Sequence, residues 1–145
     1  MTRTERVILV GCVKQKHPTG TYPARDLYTS PLFRKRRAYA EAAGRPWFIL
    51  SAEHGLVDPD APLTYYDKTL NMMGVVERRA WGNRVLRQLG ERFGPLHGIT
   101  FEIHAGARYV AAIEAGLELA GARIDIPMKG RGLGQQLQWY GQSVS

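Results

Sequence analysis

The chain has 145 residues, of which 44% are hydrophobic and 23% are charged, a composition typical of one globular domain with a buried core. No apolar run approaches the roughly 20 residues of a membrane span, and the polar start leads directly into a strand-like run, so we expect neither membrane association nor a signal peptide. A single cysteine excludes an internal disulfide and the cysteine-rich zinc sites, which favours a reduced, cytoplasmic protein.

The charge balance is the unusual feature of the composition. Lysine and arginine number 20 against 13 acidic residues, which gives a net charge of +7 and a pI near 9.9. Because a basic protein attracts polyanions, we expect nucleic acid or a nucleotide as the partner. A basic soluble protein without such a partner is the alternative.

Strand-like and helix-like segments alternate along the chain. The predicted elements, in order, are strand 6–11, helix 32–43, strand 47–51, helix 75–93, strand 99–104, helix 108–120, strand 122–126 and helix 135–140. The first helix is preceded by Ser30 as N-cap and by Pro31, a residue favoured at the first helical position. The alternation predicts a three-layer α/β/α fold with a mainly parallel sheet of about four strands, in a single domain over residues 1–145.

The long helix 75–93 has the apolar spacing of an amphipathic helix. Its arginines fall elsewhere on the helix surface. The side chains expected to point inward are Val76, Ala80, Val85, Leu86, Leu89 and Phe93.

The segments that follow the strands contain most of the ionisable and glycine-rich stretches of the chain. Parallel strands all end at one edge of a sheet, and ligands of α/β proteins bind outside that edge. The segments expected to meet there are 12–16, 51–58, 104–108 and 129–134. The sequence therefore predicts a functional site at the carboxyl-terminal edge of the sheet.

Cys12 directly follows the first strand and lies near Lys14 and Lys16. A thiol becomes a good nucleophile when its pKa falls from about 8.5, which cationic neighbours can bring about. The pattern therefore favours a catalytic nucleophile. Two alternatives remain open, a small buried apolar side chain and a direct contact to a ligand.

His54 follows the second strand in acidic company, with Glu53, Asp58 and Asp67 nearby in sequence. This pattern predicts that His54 is a general acid or base, oriented by Glu53 or Asp58. The alternative role of His54 is to fix its loop through backbone hydrogen bonds. A carboxylate-based hydrolase, using Glu53 or Asp67, is a further interpretation of the same segment.

A glycine-spaced basic loop, 129–134, precedes the last helix and resembles an anion-binding loop. The remaining histidines and carboxylates lack the spacing of a metal site, so no metal or other cofactor is predicted. The residues predicted to bind substrate or phosphate are Lys14, Lys16, Arg25, Asp26, Ser51, Asp67, Gly106 and Lys129.

Two helices carry clusters of basic residues that are suited to phosphate contacts. The candidates for nucleic-acid binding are Arg34, Lys35 and Arg37 on the first helix, and Arg78 and Arg79 on the second. A solvated helix surface is the alternative. Tyr65 and Tyr66 are candidates for stacking on bases, whereas Trp139 is expected to pack the last helix onto the core.

Several segments together resemble an uncharacterised family of small bacterial and phage proteins. The residues that carry the resemblance are Gly11-Cys12 with Lys14 and Lys16, segment 24–28 (Ala-Arg-Asp-Leu-Tyr), segment 50–59 (Leu-Ser-Ala-Glu-His-Gly-Leu-Val-Asp-Pro), Tyr66-Asp67 with Leu70, and segment 133–139 (Leu-Gly-Gln-Gln-Leu-Gln-Trp). That family is similar to the YaaA peroxide-stress proteins, which are associated with DNA binding. The cysteine loop is also similar, more distantly, to that of archaeosine synthase, which modifies a 7-deazaguanine base in tRNA.

This resemblance implies a role on nucleic acids or nucleobases. The residues at the motif positions are Cys12, Lys16, Arg25, Asp26, Ser51, His54 and Asp67. The leading hypothesis is an enzyme that modifies a nucleobase or nucleotide through a cysteine/histidine site. A non-catalytic DNA- or RNA-binding module is the alternative, and hydrolysis of an N-glycosidic bond by a carboxylate is a further one.

Overall fold

The computed structural model describes residues 5–143, and within that range no helix is long and apolar enough to cross a membrane. The elements, in chain order, are β1 (Arg6–Gly11), β2 (Tyr22–Pro23), α1 (Ala24–Leu27), α2 (Pro31–Ala42), β3 (Trp47–Ser51), β4 (Gly55–Val57), β5 (Pro62–Leu63), a 3-10 turn (Leu70–Met72), α3 (Val75–Phe93), β6 (Thr100–His104), α4 (Ala107–Leu119), β7 (Arg123–Asp125) and α5 (Leu133–Ser143).

The central sheet of the described chain has five strands in the order β4-β3-β1-β6-β7. β1 pairs in parallel with β3 on one side and with β6 on the other, and β7 continues the parallel set as an edge strand. The central strands are buried along almost their whole length because helices cover both faces. The predicted three-layer α/β/α fold with a mainly parallel sheet is confirmed.

β4 is a strand that the sequence did not predict, since 55–57 was expected to be part of a loop. It pairs antiparallel with β3, and Leu50 lies opposite Leu56. The reversal is possible because Gly55 has a φ of 74°, a conformation that a side chain disfavours. The loop carrying His54 is therefore a tight turn between two paired strands.

The chain changes direction across the sheet between β1 and β6. β1 leads through α2 to β3, whereas β6 leads through α4 to β7, on the opposite side. α2 packs with α5 and α3 packs with α4, so the two pairs cover opposite faces of the sheet. At this point the ends of β1 and β6 approach closely. A Cβ on Gly11 would lie only 2.6 Å from the Cβ of Ala105, so the absence of a side chain at Gly11 permits the approach. A crevice outside such a switch point is where α/β sheets bind ligands.

Helix boundaries follow the predicted signals, but the buried face of α3 does not. The Ser30 hydroxyl accepts a hydrogen bond from the Phe33 amide at 3.1 Å, as an N-cap does. In α3 the predictions of an inward Val76 and an inward Ala80 are wrong, since 79% of Val76 is exposed and Ala80 is exposed as well. Trp81 is buried instead, together with Val85, because the largest apolar side chain sets the rotation of the helix on the sheet.

Two irregular segments, 12–28 and 58–67, are joined to each other. β2 pairs antiparallel with β5, and the Ala24 amide donates to the Ala61 carbonyl at 2.8 Å. The Arg25 amide donates to the Pro59 carbonyl at 3.0 Å. These bonds hold the residues after β1 and those after β4 as one layer above the sheet edge.

Candidate functional site

Cys12 lies at the carboxyl-terminal end of β1, with 8% of its surface exposed. Its amide donates to the Leu50 carbonyl at 2.9 Å, and its Sγ lies 3.3 Å from the hydroxyl of Tyr109. Burial, followed by the charge of Cys12, raises the pKa of Tyr109. The Tyr109 hydroxyl therefore stays protonated at neutral pH and is able to donate to the sulfur.

Tyr66 lies at the centre of a buried hydroxyl network beside Cys12. Its oxygen lies 2.6 Å from the Tyr28 hydroxyl and accepts a hydrogen bond from Ser51 at 3.0 Å. Burial and the charge of Cys12 raise the pKa of both tyrosines. We call Tyr28, Tyr66 and Tyr109, which surround Cys12, the tyrosine cluster.

Ser51 links the cluster to the turn that carries His54. Its Oγ accepts from the His54 amide at 3.1 Å, and its carbonyl accepts from Trp81 Nε1 at 2.8 Å. The His54 ring meets the Tyr66 ring edge-on, with 5.6 Å between centroids. His54 and Cys12 thus border the same cluster, but Tyr66 lies between them and the hydrogen-bond partner of Cys12 is Tyr109.

Lys16 brings a positive charge to the cluster. Its Nζ lies 4.6 Å from the centre of the Tyr66 ring and donates to the Lys14 carbonyl at 2.9 Å. Burial lowers the pKa of Lys16, and the electrostatic effects of Cys12 and Asp67 oppose this shift. Lys14 itself is exposed, as is Asp67.

The acidic residues predicted to orient His54 have other neighbours. The exposed Asp58 carboxylate pairs with Arg92 at 3.3 Å. The Glu53 carbonyl accepts from Arg84 at 3.0 Å, and the Glu53 side chain is half-buried. The geometry therefore assigns Asp58 to an ion pair with α3 rather than to His54.

Three predicted binding residues form ion pairs around α1. Arg25 pairs with Asp60, and Asp26 pairs with Arg37 at 2.5 Å. These contacts tie α1 to the neighbouring loop and to α2. The structure therefore places Arg25, Asp26 and Arg37 in scaffold contacts beside the tyrosine cluster.

Gly106 and Lys129 lie at the other half of the sheet edge, where they line a cavity of about 360 Å³. Arg36 lines the same cavity and is 5% exposed. Arg36 belongs to the basic run 34–37 of the first helix, which was interpreted as a surface for phosphate contacts or solvent and not as part of this edge. A signal was present, because Arg36 lies three residues after Phe33 and four before Ala40, both on the buried face of α2.

The remaining basic residues lie on opposite faces of the sheet. Arg34 and Lys35 are exposed on α2, whereas Arg78 and Arg79 line a cavity of about 750 Å³ between α3 and α4. The two groups therefore do not form one continuous basic surface. Within residues 5–143, no group of three or more His, Cys, Asp or Glu side chains is arranged to hold a metal ion.

A buried polar chain that the sequence did not indicate runs along β6. Glu102 accepts from Arg6 Nε at 2.9 Å and contacts His104 Nε2 at 2.6 Å, and His104 Nδ1 lies 2.7 Å from the Tyr140 hydroxyl. Burial opposes ionisation of Glu102, but hydrogen bonds from His104, Tyr39 and Arg6 outweigh it and lower the pKa of Glu102 to about 2. The Tyr140 hydroxyl in turn hydrogen-bonds the buried guanidinium of Arg36 on α2.

One family model matches the chain, over residues 7–142, and describes a family of unknown function, DUF6884. No curated protein and no solved structure matches the chain. The comparisons thus agree with the expected uncharacterised family and give no similarity to YaaA or to archaeosine synthase. Because the match covers nearly the whole sequence, the protein belongs to the DUF6884 family of unknown function.

Proposed function

We propose that this protein is an enzyme that acts on a nucleotide or a nucleobase, with Cys12 as its nucleophile. The observation that carries the proposal is the hydrogen bond between Cys12 Sγ and Tyr109, inside a cluster of tyrosine hydroxyls at the switch point of the sheet. Buried polar groups with perturbed pKa values gather at functional sites more often than in cores. The tyrosine cluster also supplies the aromatic rings on which a base stacks.

Each residue around the thiol has a chemical role in this proposal. Lys16 stabilises the thiolate, which adds to an electrophilic carbon of the base. The electron pair displaced by this addition moves to a ring nitrogen, which takes a proton from Tyr109 or His54. Tyr65, of which 46% is exposed, is available to stack on the base at the entrance.

The resemblance noted for the sequence supports the same substrate class. Of its motif positions, Cys12, Lys16, Ser51, His54 and Asp67 lie in or beside the tyrosine cluster. Cys12 and Lys16 follow β1, and Ser51 and His54 lie at the end of its parallel neighbour β3, whereas Asp67 follows β5 of the two-stranded sheet.

Alkylation of Cys12 tests the proposal, since the chain has one cysteine and intact-mass measurement reports that site alone. We would react the protein with iodoacetamide in the presence of a panel of nucleobases, nucleosides and nucleotides. A ligand of the site slows alkylation in a saturable manner. The Lys16→Gln variant should alkylate more slowly than wild type, and the exposed Lys68→Gln variant should serve as control.

Two results would contradict the proposal. One is an alkylation rate that no member of the panel changes. The other is turnover retained by a Cys12→Ala variant, which would indicate a carboxylate such as Asp67 acting on an N-glycosidic bond.

A non-catalytic nucleic-acid-binding module is the second candidate. The net charge of +7 and the exposed Arg34 and Lys35 favour it. A salt titration separates the two candidates. Binding of a polymer through several phosphates falls by orders of magnitude between about 50 and 200 mM salt, whereas binding of one nucleotide in a cavity responds weakly.

A further inference from the structure

Arg36 is a buried cation for which the described residues, 5–143, supply no counter-ion. Its Nη1 donates to the Gly11 carbonyl at 3.3 Å, whereas its Nε has no hydrogen-bond partner in the described chain. No carboxylate within residues 5–143 forms an ion pair with it. Because the guanidinium stays charged and buried charges are normally paired, this position is suited to an anionic ligand.

The cavity that Arg36 lines also contains the start of α4, a helix of 13 residues. Gly106 is the N-cap and no side chain caps the helix. The first-turn amides of Ala107 and Arg108 have no partner within the helix, and they point out of its positive end. Gly106 and Ala107 line the cavity with Arg36, whereas Arg108 lines the cavity between α3 and α4. The Ala107 amide and the Arg36 guanidinium therefore border the same space, at the switch point between β1 and β6.

The remaining polar side chains around the cavity specify the ligand further. Lys129 and Arg131 are exposed at its rim, and Glu114 is the one carboxylate among the residues that line it. Gln136 donates through Nε2 to the Arg131 carbonyl at 2.9 Å, and its buried Oε1 accepts no hydrogen bond from residues 5–143. A ligand that pairs with Arg36 and also donates to Gln136 Oε1 carries an oxyanion and, next to it, a hydroxyl or amino group.

Arg36 is fixed in place before any ligand arrives. Its guanidinium is held by the Gly11 carbonyl and by the Tyr140 hydroxyl, which the buried His104 and Glu102 position in turn. Gly11, whose carbonyl the Arg36 guanidinium contacts, directly precedes Cys12 in the chain. A cavity of about 360 Å³ is within the range of small-ligand sites.

We propose that this cavity is a phosphate subsite. Arg36 and the first-turn amides of α4 bind the phosphate oxygens, and Gln136 accepts a hydrogen bond from a hydroxyl of the same molecule. The inference deepens the proposed function and rests on it for the nucleotide that carries the phosphate. The anion contact itself rests on Arg36 and α4 alone.

Calorimetric titration with inorganic phosphate, pyrophosphate, adenosine, AMP, guanosine and GMP tests the subsite and distinguishes free phosphate from a nucleotide. We expect at least one monophosphate to bind about ten-fold or more tightly than its nucleoside. Arg36→Met should remove this advantage, whereas Arg45→Met, an exposed arginine elsewhere, should preserve it. Equal affinities in wild type and Arg36→Met, or no binding of any phosphate-bearing probe, would overturn the proposal.

Amide chemical shifts of the wild-type protein supply a readout that does not depend on a variant folding. Phosphate or the tightest-binding monophosphate should shift the amides of Gly106 and Ala107, which line the cavity, and shifts confined to other regions would refute the subsite. Repeating the titration with Cys12→Ala separates the two proposals. If phosphate still binds the Cys12→Ala variant, and no ligand slows alkylation of Cys12 in the wild-type protein, the nucleophile proposal is refuted and the phosphate subsite is supported.

Discussion

The Sγ atom of Cys12 lies 3.3 Å from the hydroxyl of Tyr109, although the two residues are 97 positions apart in the chain. β1 and β6 are parallel neighbours, so the residues that follow them meet at one edge. Cys12 is the first residue after β1, and Tyr109 lies in the first turn of the helix that follows β6. The contact is therefore a direct consequence of the sheet order, and it marks the point where the chain changes direction across the sheet.

Removing the Tyr109 hydroxyl should slow the reaction of Cys12. A hydrogen bond to a charged group contributes about 1.5–3 kcal/mol, so Tyr109→Phe should lower the alkylation rate at neutral pH by about ten-fold or more. Iodoacetamide kinetics on the folded protein measure this effect. Tyr65→Phe, which removes an exposed hydroxyl, is the matched control. Equal rates in the two variants would show that Tyr109 does not stabilise the thiolate.

The tyrosine cluster should make the protein sensitive to alkaline conditions. Burial and the charge of Cys12 raise the pKa of Tyr28, Tyr66 and Tyr109 in the folded state. Their contribution to stability is complete below about pH 10, where unfolded tyrosine is still protonated, and is lost as the pH rises further. Each tyrosine should lower the free energy of unfolding by about 1.4 kcal/mol per pH unit in that range.

Urea unfolding between about pH 9 and 11 measures this slope. Tyr66→Phe should reduce the slope by the share of one tyrosine, because phenylalanine does not ionise. Parallel curves for Tyr66→Phe and wild type would contradict the raised pKa of Tyr66.

Glu102 should stabilise the fold at neutral pH and cease to do so in acid. Its pKa is about 2 in the folded state, against its ordinary 4.5, so its stabilisation is present above pH 4.5 and is lost as the pH falls through about 2. The difference corresponds to about 3 kcal/mol. In urea unfolding, Glu102→Gln should lose that amount at neutral pH and show a flatter acid profile than exposed Glu118→Gln. Identical profiles would refute this role.

Two glycines of α3 should respond in opposite ways to alanine. A Cβ on Gly82 would lie 2.1 Å from the backbone oxygen of Ala112 in α4, whereas one on Gly90 would meet nothing within 4 Å. Gly82→Ala should destabilise the protein by about 2 kcal/mol or more, because the two helices must separate. Gly90→Ala should stabilise it by about 0.5–1 kcal/mol through helix propensity. Chemical denaturation of both variants checks the contrast.

β1 and β3 were predictable because each is a short apolar run bounded by glycine, proline or polar residues, and β6 was predictable from its alternation of apolar and polar residues. β1 and β3 have the predicted bounds, as does α3. β4 was not predictable in the same way, because three residues carry no period and their pairing depends on the turn at Gly55. The buried face of α3 is set by the packing of Trp81 between the helices. The spacing of apolar residues such as Val76 does not predict how that large side chain packs.

The candidate site was predictable as a place and less so as a set of contacts. Cys12, Lys16, Ser51 and His54 lie together because they follow adjacent strands. Arg36 lies in a basic run that resembles a solvated helix surface. Only its spacing from the buried Phe33 and Ala40, three and four residues away, indicates that it is on the buried face. The tyrosine and carboxylate partners come from distant parts of the chain, and no local pattern reports such contacts.

The structure of crystals soaked with nucleobases, nucleosides and nucleoside monophosphates tests the central claim most directly. We predict a base against the tyrosine cluster, within reach of Cys12, and for the monophosphates a phosphate on Arg36 and the start of α4. Ligands bound only elsewhere on the molecule, or no ligand at concentrations that saturate binding in solution, would contradict the account.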